Sequence, residues 1–156
     1  ERFGGTGQEQ PATFKAVKGE RDGQPYHLDA TWDLGAIGSS FKRIPYDYFN
    51  LSDQMIDKEH KADAQLPSCS SMQHNYFKVN KRTFWMKSQA MAYAEQALQD
   101  GDTEFYFRIA GRNAASDVAE KIYDQIYAFF SEKGITDKRV KHIANDKIGT
   151  CWIKIY

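Results

Sequence analysis

From residue 76 to the end, the hydrophobic positions switch repeatedly between the two-residue period of a strand and the 3.6-residue period of a helix. Tyr76–Val79 reads as a strand. From about Thr83 to Leu98, Met86, Ala90, Tyr93 and Ala97 fall on one helical face, and Gly101 is placed to take a left-handed C-cap. Phe105, Phe107 and Ile109 then alternate with Tyr106 and Arg108, a strand with a buried side. Ser116 or Asp117 can cap a second helix, in which Ala119, Ile122, Tyr123, Ile126, Tyr127 and Phe130 form one apolar stripe and Gly134 marks the end. Two strands close the chain, near 139–143 and 150–156, joined by a turn at Asn145-Asp146-Lys147. The pattern predicts an α+β fold: a β-α-β-α-β-β module with both helices on one face of a mixed sheet and the other face more open. Helix-linked strands are expected to be parallel neighbours, and the last two to pair as a hairpin.

The first 75 residues are less regular. Gly4, Gly5 and Gly7 read as a flexible entry, with no P-loop Lys-Ser/Thr after them. Thr13–Val17 and Tyr26–Trp32 read as strands of a hairpin. Tyr26, Leu28, Ala30 and Trp32 take its buried side, and His27, Asp29 and Thr31 its polar side. Asn50 or Ser52 can cap a short helix through Ile56, and 62–75 reads as a polar loop. The predicted organisation is an extended region with a hairpin and short helix over 1–75, then a compact module over 76–156.

That module resembles the OmpA-like domain of bacterial envelope proteins. Gly111, Ile126, Phe130, Gly134, Ile135 and Val140 carry the resemblance: a Gly after the second strand, apolar positions four apart on the helix, and a Gly-Ile step into the next strand. The family holds the diaminopimelate of peptidoglycan with an Asp and an Arg, and those places here are taken by Ala114 and Ile122. The resemblance therefore implies an envelope protein, periplasmic or associated with the outer membrane, that has lost peptidoglycan binding. Arg112, Asn113 and Asp117 lie nearby as an alternative polar site. Such diverged modules are similar to assembly parts of secretion, conjugation, pilus or flagellar machines, whose partners are other protein subunits. A cytoplasmic location stays open.

Composition narrows the function classes. With 156 residues, the chain has enough length for one ordinary domain stabilised without metal or disulfide. Lys and Arg number 21 against 21 Asp and Glu, and this zero net charge weighs against a dedicated nucleic-acid binder and against anionic membranes. No apolar run approaches a transmembrane span. The chain starts at Glu1 without Met, as removal of a signal peptide or trimming of a longer chain would produce. Cys69 and Cys151 permit one disulfide, or two thiols.

The candidate chemistry is sparse. His27, His60, His74 and His142 form no close ligand pair, so no metal or other cofactor is expected. Ser68-Cys69-Ser70-Ser71 lacks a nucleophile elbow, and Asp100 and Asp102 read as solvated turn acids, so no catalytic residues are assigned. On the second helix Tyr123, Tyr127, Phe129 and Phe130 exceed what one core stripe needs, and Tyr123, Tyr127 and Phe129, with Trp152, are candidate interface residues. Lys78, Lys81, Arg82 and Lys87 interleave with Tyr76, Phe77, Phe84 and Trp85. Cations for phosphates beside rings for bases are the ingredients of a single-strand nucleic-acid surface. The reading that follows is a non-catalytic interaction domain of an envelope assembly, with a small nucleic-acid-binding module using 76–87 as the alternative.

Overall fold

The longest apolar stripe in the chain becomes the longest helix of the computed structural model, which describes residues 19–21, 23–29, 33, 45–60 and 67–156. The strands are β1 (Gly19–Arg21), β2 (Gln24–Leu28), β3 (Phe49–Leu51), β4 (Thr83–Phe84), β5 (Glu104–Ile109), β6 (Val140–Asn145) and β7 (Thr150–Ile155). The helices are α1 (Asp53–Ile56), α2 (Tyr76–Val79), α3 (Lys87–Gln99) and α4 (Ala115–Lys133). The fold is α+β. One small antiparallel sheet runs β1-β2-β3, and a mixed sheet runs β4-β5-β7-β6.

In the mixed sheet β4 and β5 are parallel neighbours, as expected of strands joined by a helix. The second crossover differs: β7 inserts between β5 and β6 and pairs antiparallel with both. Both helices pack on one face. Ala90, Ala94 and Ala97 of α3, together with Val118, Ile122, Ile126 and Phe130 of α4, meet Phe105, Phe107, Ile109, Cys151, Ile153 and Ile155 in one core. Ile122 and Ile126 are 0% exposed. Each such side chain stabilises the fold by about 1.5–3 kcal/mol relative to exposure.

Several expectations shift in the structure. Tyr76–Val79 is a single helical turn, because the Asn75 side chain accepts from the Phe77 amide and starts a helix where β propensity alone predicts a strand. The first strand of the sheet is instead Thr83–Phe84, and α3 begins at Lys87. Met86 takes the exposed N-cap position of α3 rather than joining its buried face, and Gln89 Oε1 accepts its backbone N–H. The α4 N-cap is Ala114, not Ser116 or Asp117. Ser116 lies inside the first turn, where its backbone N–H and Oγ donate to Asp146 at 2.8 Å each, so the cap comes from the β6–β7 turn. Thr13–Val17 lies outside the described residues. Ala30, Thr31 and Trp32 also lie outside them, while Tyr26, His27 and Leu28 are strand as expected, in β2, which pairs with β1 from the connector before it.

The second face of the mixed sheet is covered rather than open. Tyr106 and Trp152 project to it and are buried against Phe77, with Tyr46 and Tyr76 packed around them. Tyr46 and Tyr76 stack at 4.3 Å between centroids. The Tyr106 hydroxyl donates to Asp47 Oδ1 at 2.5 Å and accepts the Tyr46 backbone N–H at 2.7 Å. The N-terminal half therefore closes a three-layer arrangement: helices, sheet, aromatic layer.

Candidate functional site

A cleft of about 710 Å³ opens where the two halves meet. One wall is α1 and the loop after it, contributing Ser52, Met55, Lys58, Ser70 and Met72; the other is α2, β4 and β5, contributing Lys78, Lys81, Thr83, Trp85 and Arg108. None of the described lining residues is acidic. Lys58, Lys78 and Lys81 are exposed, and Trp85 at the rim is 68% exposed.

Arg108 reaches the cleft because β5 alternates: Phe107 and Ile109 turn to the helices, which puts Arg108 on the opposite face with Tyr106. Its Nε donates to the Ile148 carbonyl at 3.0 Å and its Nη2 lies 2.9 Å from Met55 Sδ. Among the described residues no carboxylate pairs with it, and burial alone holds its pKa below the usual arginine value. A guanidinium taken from water without a counter-charge is unfavourable unless something anionic joins it. Thr83 adds a buried Oγ1 with no hydrogen-bond partner.

Lys81 is held in the cleft by a strained backbone. After α2, Lys81 N–H donates to the Lys78 carbonyl at 3.1 Å and Arg82 N–H to the Phe77 carbonyl at 2.7 Å, the paired bonds of a Schellman cap. That cap places Lys81 at φ 56°, a position glycine fills at lower cost. Across the sheet, Gly111 fits only as glycine: a Cβ there would stand 2.1 Å from the Trp85 carbonyl oxygen, so the close approach of Gly111 fixes the strand end that carries Trp85.

The sequence-predicted residues scatter around this cleft. Of the basic and aromatic segment 76–87, Lys78, Lys81 and Trp85 line it. Tyr76 and Phe77 belong to the aromatic layer, Phe84 packs on the helix-side core, and Arg82 sits over the Tyr93 ring at 5.8 Å. Arg112, Asn113 and Asp117 are exposed near the start of α4, where Asp146 already occupies the helix terminus. Ile122 sits in the core. Tyr123 and Tyr127 are half-buried and pack on each other at 4.7 Å. Phe129 lines a separate groove of about 520 Å³ between α3 and α4. Trp152 is no surface residue; it is buried in the aromatic layer, its Nε1 donating to Glu104 at 2.7 Å. Neither cysteine is disulfide-bonded. Cys151 points into the helix-side core, where its thiol donates to the Ala115 carbonyl and burial pushes its pKa up to about 12. Cys69 belongs to the N-terminal half, beside Asp53.

Two histidines are buried, among them His27, expected on the polar side of its strand. His27 Nε2 lies 2.6 Å from Asp53 Oδ1, and His60 Nε2 lies 3.5 Å from Asp29 Oδ2 with its ring against Tyr48. Burial lowers the His60 pKa, with the nearby Asp29 opposing. Burial opposes ionisation of Asp53, but hydrogen bonds from His27, the Cys69 amide and Ser68 outweigh it and its pKa falls. Burial raises Asp33 to about 7, with Asp47 and Asp29 adding to the rise, although the Tyr48 amide donates to it. Burial also raises Asp47, against hydrogen bonds from Tyr106 and Thr150. Tyr48 donates to Glu59, which also accepts from Asn145.

Arg108 was legible only as the polar partner of an alternating strand; its role in the cleft depends on the N-terminal half covering that face. No family model matches this chain, and no curated protein matches it. No helix among the described residues is long and apolar enough to cross a membrane.

Proposed function

We propose that this chain is a non-catalytic binding domain whose working surface is the cleft between its halves, and that its partner is a short stretch of single-stranded nucleic acid. One observation carries the reading: four cations, Lys58, Lys78, Lys81 and the half-buried Arg108, line a single cleft with no acid among its described lining. The phosphate backbone meets the cations, and a base stacks on the open face of Trp85. With Trp85 the one ring among the described lining residues, the stacked segment is one or two bases, which suits a neutral chain better than a long track does.

A second reading keeps the same cleft and changes the occupant: an acidic segment of another protein subunit, as the OmpA-like resemblance would imply for an envelope assembly. The zero net charge favours it. Equilibrium titration with a labelled oligothymidine and with an acidic peptide decides between them. If all four cations neutralise phosphates, oligonucleotide affinity falls about fiftyfold from about 50 to about 200 mM salt. Trp85→Ala then removes about 1–3 kcal/mol of stacking. Peptide binding that is indifferent to Trp85→Ala would replace the first reading with the second, and no binding of either anion would remove both.

A further inference from the structure

Three residues far apart in sequence bring an imidazole, a carboxylate and a thiol together beside the cleft. His27 comes from β2, Asp53 opens α1, and Cys69 sits in the loop that follows. Each offers one ligand atom, and these atoms all lie within 4.8 Å of one another. We propose that His27, Asp53 and Cys69 form a binding site for a divalent metal of borderline softness, with Zn²⁺ the best chemical match.

The backbone holds this set in place. Asp53 N–H donates to the Cys69 carbonyl at 2.8 Å, and Cys69 N–H returns a bond to Asp53 Oδ2 at 2.9 Å. Ser68 Oγ adds a third at 3.1 Å. These bonds engage Asp53 Oδ2, so Oδ1, which faces His27, is the oxygen placed to coordinate. His27 and Cys69 are buried, while Asp53 is half-buried and gives solvent a path to the cluster. Nitrogen, oxygen and thiolate sulfur from three side chains are the donor types of zinc, and three protein ligands leave a fourth position for water or an external group. A thiolate ligand disfavours Mg²⁺ and Ca²⁺, which take oxygen.

Without metal, His27 and Asp53 are 2.6 Å apart and share a hydrogen bond. Tetrahedral ligands at about 2.0 Å from zinc stand about 3.3 Å from each other, so entry requires that contact to open by a fraction of an ångström. The ion takes the imidazole nitrogen, the carboxylate oxygen and the sulfur, and the Cys69 proton leaves to solvent. Because Ser52 and Ser70 on either side line the cleft, the ion would clamp α1 to the 67–72 loop and brace that wall.

Titration of the chelator-treated protein with Co²⁺, followed by displacement with Zn²⁺, tests the site. The expected result is one Co²⁺ per chain with a thiolate-to-cobalt charge-transfer band that Zn²⁺ abolishes. Cys69→Ser should remove the band, Asp53→Asn should weaken Zn²⁺ binding at least tenfold, and Cys151→Ser should change neither. Circular dichroism of each variant establishes that it is folded. A wild-type protein that takes up no Co²⁺ at micromolar concentration overturns the proposal. So does a band that survives Cys69→Ser or disappears with Cys151→Ser. The anion titrations above are read without metal, so failure of either site leaves the other standing.

Discussion

Lys81 carries the clearest conflict between local stability and position. Its left-handed backbone costs about 1 kcal/mol relative to glycine, and strain of this kind concentrates where a side chain has work to do. Lys81→Gly is therefore expected to raise the melting temperature by about 2–4 °C while weakening anion binding a few-fold, checked by calorimetry and titration on the same preparation. A variant that is more stable and binds as well as wild type would remove Lys81 from the site. Asp33 makes a pH prediction. Its carboxyl titrates at about 7 when folded against an ordinary 3.8, so the folded state keeps a proton that the unfolded chain releases. The stability this contributes is full below the unfolded value and lost as pH rises through about 7. Asp33→Asn keeps an acceptor for the Tyr48 amide and removes the titration. Its melting temperature should exceed that of wild type by more at about pH 8 than at about pH 5, and an equal difference at both would contradict the assignment.

At the scale of elements, α4 depends on a distant cap. Ala114 offers no side-chain acceptor at its start, and Asp146 supplies one from the β6–β7 turn. Asp146→Ala should cost about 1 kcal/mol and speed amide exchange in the first turn of α4. Unchanged exchange at Ser116 would show that the turn does not act as the cap. The elements with long, one-sided patterns were legible from sequence: α4, β5, β7, and the left-handed glycines ending α3 and α4, Gly101 at φ 82° and Gly134 at φ 67°. The short ones were not. Tyr76–Val79 has the composition of a strand, yet one side-chain cap from Asn75 turns it helical. β4 has only two residues, too few to carry a period, and its pairing with Arg108 and Ile109 rests on long-range contact. His27 follows a polar slot of an alternating pattern, but Tyr26 and His27, adjacent in β2 and so on opposite faces, are both buried. The candidate site needed the same contact information, since Lys58 and Arg108 are fifty residues apart in sequence.

For the whole molecule, the aromatic layer explains why so many rings are present. Tyr76 and Phe77, with Tyr46 from the N-terminal half, cover Tyr106 and Trp152 on the second face of the sheet, and that docking creates the cleft as its seam. Large rings at the alternate positions of β5 and β7 were the sequence signal that this face is not solvated. The same docking half-buries Arg108 in the seam, where among the described residues it is anchored to a carbonyl and a sulfur. Arg108→Met keeps an apolar stem of similar length and removes the half-buried charge, so the fold should hold while the anion loses a charge-assisted contact of about 1.5–3 kcal/mol. Oligothymidine affinity of wild type and Arg108→Met, measured at equal low salt on proteins of matched melting temperature, is the most direct test. A ten- to hundredfold weaker variant is the predicted result; equal affinity would mean that the cleft is not where the anion binds.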